Sequence, residues 1–243
     1  MGRVLALGDI HGCAHALNAV LEAARIDPDD TLVVLGDVID YGRDSAAVID
    51  RLIELQSECR LICIQGNHEE MLLGALGNEQ LKSQWINVGG METLNSYKFC
   101  GDIDVIPPAH LEFLRGFVAC YETDTRVFTH ANYVPDLPFS EQPPYVLRWQ
   151  LLEPPWPAPH VSGRQVIVGH TEQASREVLD LGHLVCLDTA CRAYGWLTLW
   201  DADSGQTWQA SKWGVLHESE HPDEVEHLRR SKELLVVPDD LAS

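Results

Sequence analysis

The sequence has no apolar run of membrane-spanning length, and the run in its opening MGRVLALGDIHG is too short for a secretory signal. Basic residues are scarce: 17 Lys and Arg stand against 37 Asp and Glu, a formal charge of -20. That balance argues against a surface that grips nucleic acid by neutralising its phosphates. It does not exclude a phosphorylated substrate, because bound metal dications outweigh the overall charge locally. CxxC pairs are missing too. The seven cysteines, Cys13, Cys59, Cys63, Cys100, Cys120, Cys186 and Cys191, are scattered, which argues against a zinc knuckle or a dithiol redox motif. The expectation is a cytoplasmic protein with reduced thiols and no nucleic-acid or membrane partner.

What is present is a rhythm. Over the first hundred residues short apolar runs alternate with helical patterns: RVLAL then AHALNAVLEAARI, TLVVL then SAAVIDRLIELQSE, RLICIQ then EEMLLGALG. This is the βαβα order of a parallel sheet covered by helices, with Asp44 placed to cap the second helix. Residues from about Glu79 to Phe117 read as further helices, broken near Gly89-Gly90 and Pro107-Pro108. After Val118 the pattern becomes ACYET, RVFTH, QVIVGH, EVLDLG, HLVCLDT and GWLTLWDADSGQTWQA, a mostly β layer with hairpin turns at Leu181-Gly182 and Ser204-Gly205. Eight of the thirteen prolines lie between Pro135 and Pro159, so 135–160 is expected to be a long loop. One domain is expected over 1–243, ending in a charged tail over 217–243 with a helix begun at Pro222.

Five apolar strands end in a small residue followed by a ligand-type side chain: VLALGDIHG, LVVLGDVID, LICIQGNHE, VFTHAN and VIVGHT. The carboxyl ends of parallel strands share one edge, so these side chains are expected to converge on one crevice. The candidates are Asp9, His11, Asp37, Asn67, His130 and His170. Carboxylate, imidazole and amide without thiolate suit manganese, iron or zinc at a catalytic rather than structural site. Six ligands exceed one tetrahedral ion and suit two ions sharing a bridge, an arrangement that clamps phosphate esters.

With these residues in place the sequence resembles the PPP family of metallophosphoesterases, which includes Ser/Thr protein phosphatases and symmetrical diadenosine tetraphosphatases. The matching motifs are GDIHG (Gly8 to Gly12), GDVID (Gly36 to Asp40), GNHE (Gly66 to Glu69), His130 and GHT (Gly169 to Thr171). The resemblance implies an α/β fold, a β-sandwich of mixed sheets flanked by helices, with a dimetal site at the strand ends. It implies Asp9, His11 and Asp37 at one metal and Asp37, Asn67, His130 and His170 at the other, with Asp37 bridging. Two divalent ions are expected, manganese ahead of iron or zinc. His68 resembles the proton donor to the leaving oxygen and Asp40 the carboxylate that orients it, while a water between the metals attacks phosphorus in line.

Two positions depart from the family pattern, Tyr41 and Asn132, the latter standing where glycine is common after the histidine and alanine. Tyr41 stands where the usual motif carries arginine, whose planar fork holds two phosphate oxygens as tyrosine cannot. Arg43, two residues on, and Arg148 in VLRWQLL are the candidate phosphate-binding residues. Glu69 is expected to support the site, and Asp188-Thr189 to act from behind it. Phe139, Tyr145, Trp149 and Trp156 are candidates for an aromatic rim. The expected activity is hydrolysis of phosphoric monoesters, first as a Ser/Thr protein phosphatase acting on a phosphorylated protein or small phosphoester. A symmetrical diadenosine tetraphosphatase is the alternative, and a metal-free binding module a distant third.

Overall fold

A computed structural model describes residues 2–98 and 103–217. Strand β1 (Val4–Leu7) leads through helix α1 (Ala14–Ala24) to β2 (Thr31–Val34), and α2 (Ser45–Leu55) leads to β3 (Arg60–Cys63). Helices α3 (Asn67–Ala75), α4 (Glu79–Trp85), α5 (Met91–Ser96) and α6 (Pro108–Arg115) follow, with a π-helical turn at Ile86–Gly90 joining α4 to α5. The second half supplies β4 (Cys120–Glu122), β5 (Arg126–Thr129), α7 (Pro144–Trp149), β6 (Gln165–Val168), β7 (Leu179–Asp180), β8 (Leu184–Cys186), β9 (Leu197–Asp201) and β10 (Thr207–Ala210).

These strands make two five-stranded mixed sheets, ordered β10-β9-β1-β2-β3 and β4-β5-β6-β8-β7. Strands β1, β2 and β3 run parallel, as do β5, β6 and β8, so each sheet sends several carboxyl ends to one edge. The C-terminal hairpin corrects the simple division into a helical half and a β half. Its first strand pairs antiparallel with β1, so the last described strands complete the first sheet.

Side-chain alternation within the strands builds three apolar layers. Ala6, Val33, Phe128, Ile167 and Val185 meet between the sheets. Their neighbours Leu5, Leu7, Leu32 and Val34 face outward onto α1 and α2, which bury Leu17, Val20 and Leu21 and Val48, Ile49 and Leu52 at helical spacing. On the far face Val127, Val166, Val168 and Leu184 are covered by Tyr133, Phe139, Leu147 and Leu152. The proline-rich segment is therefore a third layer packed onto the second sheet.

That segment is also more regular than expected. It contains α7, which begins with Pro143 in the N-cap position and Pro144 in the first turn, where a missing N–H costs no helical bond. Asp44 occupies the N-cap position of α2 but makes no side-chain capping bond, contrary to expectation. No helix among the described residues is long and apolar enough to cross a membrane. Of the charged tail expected over 217–243, only His217 lies within the described residues, where it packs edge-on to Trp196; the helix expected from Pro222 lies outside them.

Candidate metallophosphoesterase centre

The loops after β1, β2, β3, β5 and β6 bring all six candidate ligands to one place. Asp37 lies at its middle: its Oδ2 is 3.6 Å from His11 Nε2 and its Oδ1 is 3.4 Å from His130 Nε2. His11, Asp37 and His68 form one donor group, and Asp37, His130 and His170 a second, each with ligand atoms within 4.8 Å of one another. Asn67 joins the second group, with its Oδ1 3.1 Å from His130 Nε2. Asp9 stands outside both groups and receives the His170 backbone N–H on its two oxygens at 3.1 and 3.0 Å.

The backbone is bent to achieve this. His11, Asp37, Asp40, Tyr41 and His170 all have positive φ, a region disfavoured for residues with a Cβ and often occupied at functional sites. Glycine is needed where the chains cross: a Cβ on Gly66 would lie 2.1 Å from Asp37 Oδ1, and one on Gly169 2.0 Å from Asp9 Oδ1. Those glycines allow the carboxylates to lie against backbone.

Three histidines are oriented by backbone carbonyls. His11 Nδ1 bonds Ile39 O at 2.9 Å, His130 Nδ1 bonds Leu35 O at 2.7 Å, and His170 Nε2 bonds Trp149 O at 3.1 Å. With the proton on those nitrogens, the opposite nitrogen of each ring turns a lone pair to the centre, as in metal-ligating histidines. Around His130 Nε2 the acceptors Asp37 Oδ1 and Asn67 Oδ1 then face a third acceptor. Such a group needs a proton or a cation among its members.

Charge gives the same result. Asp9, Asp37, Glu69 and Asp188 are all buried. Burial, reinforced by Asp188 and Asp37, holds the Asp9 carboxyl well above its ordinary range, and burial likewise raises Asp188. Burial also acts to raise Asp37, but His130 and His68 outweigh it and hold the group well below the usual range. Burial pushes His11 down to about 3 and His170 down to about 4, so both rings are neutral and able to ligate. Four buried carboxyl groups beside the neutral rings of His11 and His170, with no thiolate, fit a pair of divalent cations.

Glu69 explains how the loops stay in register. Its carboxylate accepts the backbone N–H groups of Asp37 (2.9 Å), Val38 (2.8 Å) and Gly66 (2.9 Å), tying the end of β2 to the start of α3. Glu69→Ala would strand three buried donors, each worth about 1–3 kcal/mol when unsatisfied. The expected loss is roughly 3 kcal/mol or more, read as a fall in the urea midpoint of metal-free protein; an unchanged midpoint contradicts this role.

His68 points both ways. Its Nδ1 bonds Asp40 Oδ2 at 2.6 Å, while Nε2 lies 3.9 Å from Asp37 Oδ2. Burial acts to lower its pKa, but Asp37 and the Asp40 hydrogen bond more than offset this and raise it to about 9. Asp40 is itself fully buried and held by Trp85 Nε1 at 2.8 Å and Thr93 Oγ1 at 2.7 Å. Neither Trp85 nor Thr93 carries a sequence signal, since both come from helices distant in the chain and belong to no strand-end motif.

Arg148 bonds Gln65 Oε1 at 3.3 Å and Glu70 Oε1 at 3.0 Å, and Trp149 Nε1 bonds the other Glu70 oxygen at 2.6 Å. Arg43 is exposed beside Tyr41. Arg192 lies over the residue that departs from the family pattern, its guanidinium 4.1 Å from the centre of the Tyr41 ring. Tyr41 in turn packs edge-on against His11 and His68, with ring centres 5.1 and 5.2 Å apart. Arg192 lies four residues after Asp188, on the loop leaving β8, and belongs to no strand-end motif.

The proline-rich segment walls this centre. Trp149 O meets His170, Thr171 Oγ1 accepts the Leu152 N–H at 2.9 Å, and Asn132 Nδ2 donates to Leu151 O at 3.1 Å. Asn132 is thus an anchor for the wall. Tyr145 and Trp149 line a cavity of about 660 Å³ there, whereas Phe139 is buried in the core and Trp156 is not among the lining residues, so the expected rim is reduced to two rings.

A family model described as calcineurin-like phosphoesterase matches residues 2–195, which includes every motif of the centre. The chain belongs to that family. Members of that family use a dimetal centre, and the two donor groups around Asp37 are this chain's candidates for one. The Serine/threonine-protein phosphatase 1 of Salmonella typhimurium is 40% identical over 88 residues, 36% of this chain and 38% of that protein. The symmetrical bis(5'-nucleosyl)-tetraphosphatase of Photorhabdus laumondii is 44% identical over 69 residues, 28% of this chain and 24% of that protein. Each of these two matches spans well under half of the relative's length. Among solved structures, one described as a candidate diadenosine tetraphosphatase superposes with a TM-score of 0.65 at 23% identity, covering 86% of this chain and 93% of that one. That likeness speaks for the fold alone.

Proposed function

We propose that this calcineurin-like phosphoesterase hydrolyses phosphoric monoesters of alkyl alcohols, as a Ser/Thr protein phosphatase does. The observation that carries this reading is the His68–Asp40 pair beside Asp37. An alkoxide is a poor leaving group and needs a proton as the ester bond breaks, and a histidine held by a carboxylate is built to deliver one. Cleavage of a dinucleotide polyphosphate releases a phosphate oxygen, which leaves without such help.

In this reading His11, Asp37, Asn67, His130 and His170, with Asp9 behind them, hold two divalent cations, manganese ahead of iron or zinc. When bound, the cations supply positive charge to the phosphoryl oxygens and lower the pKa of the water that serves as nucleophile. The protein's own contribution is orientation. Asp37 faces both donor groups, Glu69 fixes the loop that carries it, and His68 presents Nε2 toward the reacting phosphate while Asp40 holds Nδ1. Arg192 is the cation placed at Tyr41, and Arg148 stands by Gln65 at the mouth of α3. A cytoplasmic location accords with the six described cysteines, all of which are free.

The substrate class is decided by assaying phosphoserine and phosphothreonine peptides beside diadenosine tetraphosphate with manganese-loaded protein. Phosphate release from the peptides is expected. Symmetric cleavage of the dinucleotide with inert peptides overturns the proposal and favours the tetraphosphatase reading. Metal binding has its own readout. Saturating manganese at about a hundredfold above its Kd adds about 2.7 kcal/mol to stability and raises Tm by roughly 5–10 °C, and chelation reverses the shift. No shift would contradict a resident metal pair.

A further inference from the structure

Beside the catalytic centre, on the Tyr41 side, lies a groove of about 510 Å³ whose lining includes Tyr41, Arg43, Arg192, Lys212 and Trp213. It carries three cations against one carboxylate, Asp44, on a chain whose formal charge is -20. Neither Arg43 nor Lys212 forms an ion pair among the described residues. Arg192 pairs with Glu172 at 2.7 Å, but both side chains are about one-third exposed, at 33% and 34%. A pair so open to water contributes little and exchanges readily for another anion.

The local structure holds Arg192 and Lys212 in place. Cys191 is buried in the core and anchors the loop that presents Arg192. Lys212 Nζ reaches the Arg192 carbonyl at 3.4 Å, joining the turn after β10 to that loop. Trp213 is 69% exposed with Lys212 near its ring, a large aromatic surface left at the groove wall. At the inner end Arg192 lies on the Tyr41 ring, which itself contacts His11 and His68. A substrate whose phosphate is seated at Asp37 and His68 therefore has cations laid out along one side of it.

We infer that this groove is a subsite for a second anionic group of the substrate, flanking the scissile phosphate. Arg192 stands at the junction with the centre, and Arg43 and Lys212 receive the neighbouring charge while Trp213 covers the segment that carries it. Two sources have this chemistry: an acidic side chain next to a phosphorylated residue, or a second phosphate on a small oligophosphate. The first source rests on the phosphatase reading above; the second does not.

The experiment uses the full chain and an Arg43→Gln/Lys212→Gln double variant. Two phosphothreonine peptides differing only in glutamate or glutamine beside the phosphorylated residue give a ratio of kcat/KM, in which any general loss of activity cancels. The acidic peptide is expected to be favoured about five- to tenfold at low salt, with the ratio falling toward one in the double variant and at high ionic strength. Titration calorimetry of metal-free protein with inorganic tripolyphosphate is the second arm and needs no turnover. A ratio that collapses in the variant supports the subsite with the peptide as source. No preference between peptides, or no peptide turnover at all, combined with tripolyphosphate binding that the variant loses, supports it with phosphate as source; in the latter case the phosphatase reading alone has failed. A preference for the acidic peptide that the variant leaves unchanged, or no preference or no turnover together with no variant-sensitive tripolyphosphate binding, overturns it.

Discussion

Replacing Asp37 by asparagine is expected to lower kcat/KM on p-nitrophenyl phosphate by roughly a thousandfold or more and to reduce bound metal below one ion per chain. Asp37 is the residue common to the two donor groups, with one oxygen toward His11 and the other toward His130. Its neutral amide would leave both groups short of charge at once. The fold should survive, because Glu69 holds the backbone of this loop and an asparagine Oδ1 can still accept the His68 N–H that Asp37 Oδ1 accepts at 3.1 Å. Asn67→Ala touches only the His130 side and should cost less, roughly 10- to 100-fold. Metal content measured by elemental analysis beside steady-state kinetics checks both. An Asp37→Asn protein that retains two ions and most of its activity would contradict the shared role.

The second large effect belongs to His68. If it protonates the leaving oxygen, His68→Asn should cost about 10²–10⁴ in kcat on a phosphothreonine peptide. On p-nitrophenyl phosphate, whose stabilised phenolate departs unprotonated, the loss should be no more than about tenfold. Asp40→Asn should follow the same direction with a smaller gap, since it leaves the ring present but loosens the 2.6 Å bond that orients it. It should also lower stability, because Trp85 and Thr93 lose a charged acceptor in a buried setting. Equal losses on the two substrates would show that His68 holds the site together and donates no proton. The leaving-group comparison separates these roles where a single rate does not.

How much of this was legible in the sequence follows from how each feature is encoded. The strand ends were readable because an apolar run, a glycine and a ligand-type residue are contiguous, and a parallel sheet sends such ends to one edge. The sheets' division was less so: GWLTLWDADSGQTWQA shows a hairpin, but nothing local tells that β9 pairs with β1 some 190 residues earlier. The proline count over 135–160 suggested irregular chain, yet prolines at the start of α7 are compatible with a helix, and Phe139 and Leu147 bury themselves on the second sheet. Trp85, Thr93 and Arg192 act through contacts that exist only after folding. Tyr41 illustrates the limit best, because its identity departed from the family pattern while the arginine lying on its ring is some 150 residues away.

On the reading proposed above, these strand ends hold two divalent cations with Asp37 between them. Anomalous diffraction from crystals soaked in manganese tests it most directly. Two peaks are expected, one on the His11 side of the Asp37 carboxylate and one on the side of His130 and His170. A single peak, or peaks that leave Asp37 untouched, would contradict it.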